Sequence, residues 1–227
     1  MSDRPVYTIN PTQARPHLDG EWDGEIWRQA ETAKIKHFHP RSSEHRPEAR
    51  VRVLYSVEGL HVLFRVHDRY VRAIATEYQG KVWEDACVEF FVRPRPDKGY
   101  FNFEMNCGGT LLLGYAESEQ QSVDGKKKSV RVPWEMGSRI EIYHSMPKSV
   151  DPESPDPIEW RVEYFVPFTI LEHYVGALGP LVGQQWRGNF YKCAENNSHP
   201  HWAAWSPIGE MLNFHQPDKF GDIVFAD

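Results

Sequence analysis

The sequence predicts an all-β fold, an antiparallel β-sandwich of the jelly-roll or immunoglobulin-like kind with one or two short helices. Three observations carry that expectation. Many short segments rich in Val, Ile, Phe, Tyr and Trp follow one another at close spacing. Within them apolar and polar side chains alternate. Helical periodicity is scarce, and 17 prolines punctuate the chain.

Strands are expected at roughly 33–39, 49–57, 60–67, 71–76, 86–94, 100–106, 110–116, 129–133, 138–145, 158–166, 185–194 and 222–226. Val57-Glu58-Gly59-Leu60 reads as a hairpin turn between 50–56 and 61–67. Asn106-Cys107-Gly108-Gly109-Thr110 reads as another. Phe101, Phe103 and Met105 share one face of their strand; Asn102, Glu104 and Asn106 share the other. Trp160, Val162, Tyr164 and Val166 alternate in the same way with Glu159, Arg161 and Glu163. One buried and one polar face per strand is the signature of an open sandwich sheet. Short helices are expected at 21–30, where Trp22, Ile26 and Trp27 cluster, and at 167–174 after Pro167. The stretch 151–157 holds three prolines and reads as a loop. Strands of the same character flank it, so the chain reads as one domain over 1–227.

Composition narrows the function. The 227 residues are 40% hydrophobic and 13% aromatic, enough to build a core without disulfides. The formal net charge of -6 is the wrong sign for a nucleic-acid binder. Lys126-Lys127-Lys128 follows Asp124-Gly125 and reads as a solvated hairpin tip. No apolar stretch is long enough to cross a membrane as a helix. The first residues lack a secretory apolar region, so the expectation is a cytoplasmic chain or one whose leader has been removed. Cys87, Cys107 and Cys193 form no CxxC pair and read as free buried thiols.

The stretch Trp83-Glu84-Asp85-Ala86-Cys87-Val88-Glu89-Phe90-Phe91-Val92 carries the functional signal. Val88, Phe90 and Val92 share an apolar face, and Glu89 points the other way. Trp83 joins Glu89 if the chain stays extended back that far. An indole offers a flat platform to the C–H face of a sugar ring, and a carboxylate accepts hydrogen bonds from its hydroxyls. A Trp among charges is a poor core residue, although it can also pack a loop. Glu104 lies on a strand that can neighbour Glu89, and such a pair raises a glycosidase alternative. Asn106 either closes a turn or binds ligand. Arg187, Asn189 and Tyr191 share one parity and either line the same cleft or make structural hydrogen bonds. Trp202 and Trp205 follow a loop rich in His, Asn and Pro, and each either caps the sandwich or lines a cleft. Asp19, Glu21, Asp23 and Glu25 read as a solvated helix start.

Four ordered passages carry a family likeness. They are Leu18-Asp19-Gly20-Glu21-Trp22 leading to Ile26-Trp27; Leu63-Phe64-Arg65-Val66-His67-Asp68 with Trp83 to Val92; Tyr100 to Gly109; and Trp186 to Lys192 with Trp205-Ser206-Pro207 and Phe214-His215-Gln216-Pro217-Asp218-Lys219-Phe220-Gly221. In this order the chain resembles the family 9 carbohydrate-binding modules, whose β-sandwich is shared with DOMON-type domains. The resemblance implies a non-catalytic sugar binder holding its ligand between two tryptophans. Trp83 matches the first and Glu89 the binding carboxylate. Trp205 is the choice for the second, with Trp202 as the alternative. The family's mid-sheet arginine has no clear match. Some members bind structural calcium, for which the resemblance offers Asp19 and Asp68. Some DOMON relatives hold haem with Met and His; Met105, Met146 and Met211 are available, but no CxxCH motif is present. No cofactor is expected beyond possible calcium, and the expected partner is a carbohydrate. Family members are often secreted. A protein-interaction module that binds no free sugar is the remaining alternative.

Overall fold

The structure is a computed structural model. It describes residues 4–121 and 127–227, with the side chains of 118–121, 127 and 128 left out. The tip of the lysine-rich hairpin falls outside the described residues. Strands β1 (Val6–Pro11), β2 (Ala33–Ile35), β3 (His37–Phe38), β4 (Glu48–Tyr55), β5 (Gly59–Asp68), β6 (Val71–Ala73), β7 (Cys87–Arg93), β8 (Tyr100–Asn106), β9 (Leu111–Gln121), β10 (Lys127–Arg131), β11 (Glu141–His144), β12 (Val150–Ser154), β13 (Ile158–Pro167), β14 (Gln185–Ala194), β15 (His201–Ala204) and β16 (Gly221–Phe225) follow one another along the chain. Two α-helices, α1 (Trp134–Gly137) and α2 (Phe168–Val175), interrupt them. None of the described helices is long and apolar enough to cross a membrane.

The strands form a curled sandwich. One side runs β10-β9-β8-β7-β14-β16, and the other runs β4-β5-β13-β11. β1 joins them, hydrogen-bonded to β16 at one end and to β4 at the other. Both of those pairings are parallel, so the sandwich is antiparallel everywhere else along this path but not at its seam. β2 adds to β4, β15 adds to β14, and β3 adds to β15. A separate pair, β6 with β12, occupies part of the stretch expected to be loop. The expected helix at 21–30 reduces to a single 3-10 turn at Trp27–Gln29. Trp22 and Trp27 are buried there against Leu54 and Leu63. The guanidinium groups of Arg52 and Arg65 lie 4.4 and 4.5 Å from the Trp22 ring. The aromatic spacing that imitates a helix is therefore produced by packing on the outside of β4 and β5.

The alternation in β7, β8 and β14 puts Phe90, Phe103 and Phe190 between the two sides. Phe90 stacks on Phe190 with centroids 4.8 Å apart, and Phe103 meets Tyr164 from the other side at 6.3 Å. Each fully buried ring of this kind contributes about 1.5–3 kcal/mol. The opposite face of β7 and β8 departs from the expected open, polar surface. Every residue of β8 is buried, and so is β7 up to Val92. Covering it are the turn carrying Trp83, strand β15 and the segment after Ile208. This second buried layer is what turns a sheet surface into a cavity.

Candidate functional site

The floor of the cavity comes from strand parity. Cys87, Glu89 and Phe91 project outward from β7, and Tyr100, Asn102 and Glu104 from β8. Glu89 is the cross-strand partner of Glu104, and Asn102 is the partner of Gly114 on β9. Gly114 keeps the floor open. A Cβ added to it would lie 2.5 Å from Asn102 Oδ1, inside any normal contact.

Trp83 forms one wall. It does not continue the strand, as extended backbone would require, but sits in a 3-10 turn, Val82–Glu84. Asp85, fully buried, ends that turn and holds it. Its carboxylate accepts the amides of Ile74 and Ala75, at 3.1 and 2.9 Å, and the side-chain amide of Asn106 at 2.8 Å. Asn106 also donates to Ala75 O and accepts from Thr110 N. It braces the turn and does not line the cavity. Beyond β14, Glu195 N and Asn196 N donate to Trp83 O and Glu84 O, tying the two walls together.

Trp202, on β15, forms the second wall. Its Cα pairs with Cys193, and its indole Nε1 donates to Glu195 Oε1 at 2.8 Å. Both Trp83 and Trp202 are half-buried. The structure places Trp202 at the cavity in place of the expected Trp205. Trp205 is 8% exposed and packs into the core against Tyr7 and Phe190, with its ring over Gly221, where any Cβ would collide with it. Three residues on from Trp202, Trp205 has the opposite parity and shares the core side with Ala203.

The remaining wall is the segment Leu212 to His215. The Gln216 side-chain amide donates to the carbonyls of Ile208, Met211 and Asn213 and gathers this segment into a compact loop. Tyr191 stacks on Phe214 at 4.0 Å and donates its hydroxyl to Phe214 O. Tyr100 Oη and His215 Nδ1 are 2.8 Å apart. Tyr191 therefore positions the wall from behind. Arg187 does not reach the cavity. It donates to the carbonyls of Gly221 and Phe220 and pairs with Asp222 at 3.2 Å, clamping β16. Arg131 does line the cavity, from β10 opposite Gly114. An exposed arginine on a short edge strand carries no signal of its own in the sequence.

The cavity is open to solvent on one side and has a volume of about 550 Å³, within the range for small-molecule sites. Its floor is electrostatically loaded. Burial pushes the Glu104 carboxyl up to about 7, against the opposing effects of the Asn102 amide and the Arg131 charge. Burial, with Cys193 and Glu104 beside it, raises Glu89 well above the ordinary carboxylate range. Cys193 Sγ donates to Glu89 Oε1 at 3.2 Å. All three cysteines are free and buried.

The acidic residues offered for calcium sit elsewhere. Asp68 accepts from His45 at 2.8 Å, from Trp160 Nε1 at 3.2 Å and from Arg69 N at 2.9 Å, and pairs with Lys192 at 3.2 Å. With both oxygens committed and an ammonium beside it, Asp68 does not fit a calcium ligand, which must gather six or more oxygens. Asp19 Oδ1 accepts the Glu21 amide. Met105 and Met146 are in the core and Met211 is exposed.

The model of carbohydrate-binding family 9 matches residues 26–225. The chain belongs to carbohydrate-binding family 9. It is also similar over 98% of its length to a putative carbohydrate-binding protein from Bacteroides uniformis, with 28% identity, 99% of that chain covered and a TM-score of 0.82. Two structures of a family 9 module from Caldicellulosiruptor kristjanssonii share the fold at 15% identity. The one in complex with cellotriose has a TM-score of 0.64, with 98% of this chain and 94% of that chain covered. For the one in complex with glucose the values are 0.62, 96% and 95%. No match is found among curated proteins. Family 9 modules bind carbohydrate and are non-catalytic.

Proposed function

We propose that this family 9 chain binds a mono- or oligosaccharide, without catalysing its breakdown, in the cavity between Trp83 and Trp202. One observation carries the reading: two half-buried indoles line a single cavity whose floor holds Glu89 and Glu104. The rings take the apolar faces of a pyranose. The carboxylates and Asn102 take its hydroxyls. The structural relatives in complex with glucose and cellotriose support this choice of ligand class. Ring burial at about 25 cal/mol per Å², offset by association entropy, leads to affinities of roughly millimolar to micromolar. Titration of tryptophan fluorescence with a panel of mono- and disaccharides is expected to give a saturable shift that Trp83→Ala abolishes. A flat response to every sugar would overturn the proposal and leave a protein-interaction module.

The buried carboxyl pair favours one rival, a glycoside hydrolase. Such enzymes flank the scissile bond with their two carboxyl groups. Glu89 and Glu104 instead rise side by side from one floor. Aryl glycosides are expected to remain intact with the purified protein; turnover eliminated by Glu89→Gln would establish the hydrolase.

A further inference from the structure

A neutral sugar leaves one property of the cavity unexplained. Glu89 and Glu104 are direct cross-strand partners, 2% and 5% exposed, on the same floor. Like charges placed directly opposite in a sheet repel one another. Among the described residues neither carboxylate has a lysine or arginine within ion-pair distance. A third carboxylate, Glu195, stands at the rim holding Trp202. Against these three, Arg131 is the one lining residue with a permanent positive charge among the described residues, and its guanidinium donates to Gln79 O.

Two indoles and two buried carboxylates lining one cavity make a site for a cation carried on a ring with an apolar C–H face. Indole faces attract an ammonium through the ring quadrupole, by about 0.5–2 kcal/mol. An ammonium brings three donors on a compact charge, and each carboxylate offers only acceptors. We infer that the preferred ligand is an amino sugar with a free, protonated amine, whose ammonium sits between Glu89 and Glu104 while Trp83 and Trp202 cover the ring. This rests on the sugar-binding reading and deepens it by naming the ligand class.

The groups facing the pair are consistent with that role. From β14 come the Cys193 thiol, raised by its hydrogen bond with Cys87 and then by burial, and the Tyr191 phenol, raised by burial. From β7 the Cys87 thiol is pushed up to about 12. From β8 the Tyr100 phenol is raised by burial and by Glu104. From β10 and the segment after Ile208 come Arg131 and His215. With no ligand the crowded pair retains a proton near neutrality. An arriving ammonium replaces that proton, so binding releases it to solvent.

Calorimetric titration of the full chain near pH 7 with glucosamine, glucose and N-acetylglucosamine tests this directly. Glucosamine is expected to bind about tenfold or more tightly than the two neutral sugars. Titration in two buffers of different ionisation heat is expected to show proton release for glucosamine and none for glucose. In Glu104→Gln the ratio of glucosamine to glucose affinity is expected to fall to about one. Equal binding of the three sugars, or a glucosamine preference that survives Glu104→Gln, overturns the amino-sugar assignment and leaves the sugar-binding proposal standing. Failure of all three to bind defeats both. If Glu104→Gln does not fold, the proton release of the unaltered protein decides the question alone.

Discussion

Trp202 is held by Glu195, whose carboxylate accepts the indole N–H at 2.8 Å. The backbone amide of the same Glu195 reaches across to Trp83 O. One residue thus links both aromatic walls. A hydrogen bond at an exposed position contributes about 0.5–1.5 kcal/mol net. Glu195→Ala is expected to weaken sugar binding roughly two- to tenfold, with little change in melting temperature, as read by fluorescence titration and thermal unfolding.

The two candidate tryptophans of the C-terminal region separate cleanly by mutation. Trp202→Ala removes a wall and is expected to weaken binding by about 1–2 kcal/mol, roughly five- to thirtyfold, while the fold persists. Trp205→Ala opens a core cavity beside Tyr7 and Phe190 and is expected to cost about 3–5 kcal/mol of stability. Denaturant unfolding and titration of both variants check the pair. A Trp205 variant of normal stability that cannot bind would reverse the assignment.

Gly114 tests the floor. Its absent side chain is what separates Asn102 from the strand beyond. Gly114→Val is expected to fill the space between them and lower affinity at least tenfold, with the β-rich circular dichroism spectrum retained. Undiminished binding would show that the ligand does not descend to Asn102.

The buried network around Asp68 predicts the response to acid. The fully buried Lys192 pairs with Asp68, and His201 Nε2 lies 2.8 Å from Lys192 Nζ. Burial and the adjacent ammonium lower His201 to about 3, so it stays neutral in the folded protein. The unfolded chain takes up that proton from about pH 6.5 downward. Stability from this group is therefore complete above pH 6.5 and declines as pH falls towards 3. Burial opposes ionisation of Asp68, but Lys192 and His45 hold it below the ordinary range. Its contribution is present above the usual carboxylate value and is lost below it. Glu104 runs the other way. Its raised value makes the folded state less favourable as pH rises from about 4.5 to 7. Urea unfolding across pH 3 to 8 is expected to show the acid loss. Asp68→Asn at pH 7 is expected to cost about 3–5 kcal/mol, because it strands a buried ammonium.

The strands that alternate in hydrophobicity were legible because each has one face in the core. β5, β7, β8, β13 and β14 fall where the pattern puts them. β1 was not, since Val6–Pro11 is half exposed and makes its ladder with residues at the far end of the chain. The stretch 151–157 hid part of β12, because its prolines mask a short, irregular pairing with β6. At the site, Trp83 and Glu89 stood out as an indole among charges beside an outward carboxylate. Trp202 and Trp205 have opposite parity, but nothing in the sequence says which parity of β15 faces the core. Arg187, Tyr191 and Asn106 share the outward parity, yet only the folded chain shows Tyr191 and Asn106 bracing the walls and Arg187 clamping β16. The second layer over the sheet arises from loops that carry no periodicity.

The placement of β1 has a consequence for how the molecule is made. β1 and β16, far apart in sequence, must meet before the two sides of the sandwich are joined. Contacts of such sequence separation slow assembly into the range of milliseconds to seconds. Until β16 is made, β1 lacks this partner, and the seam between the two sides stays open. Removal of β16 would take from β1 and β14 a strand that both pair with, independently of anything at the cavity.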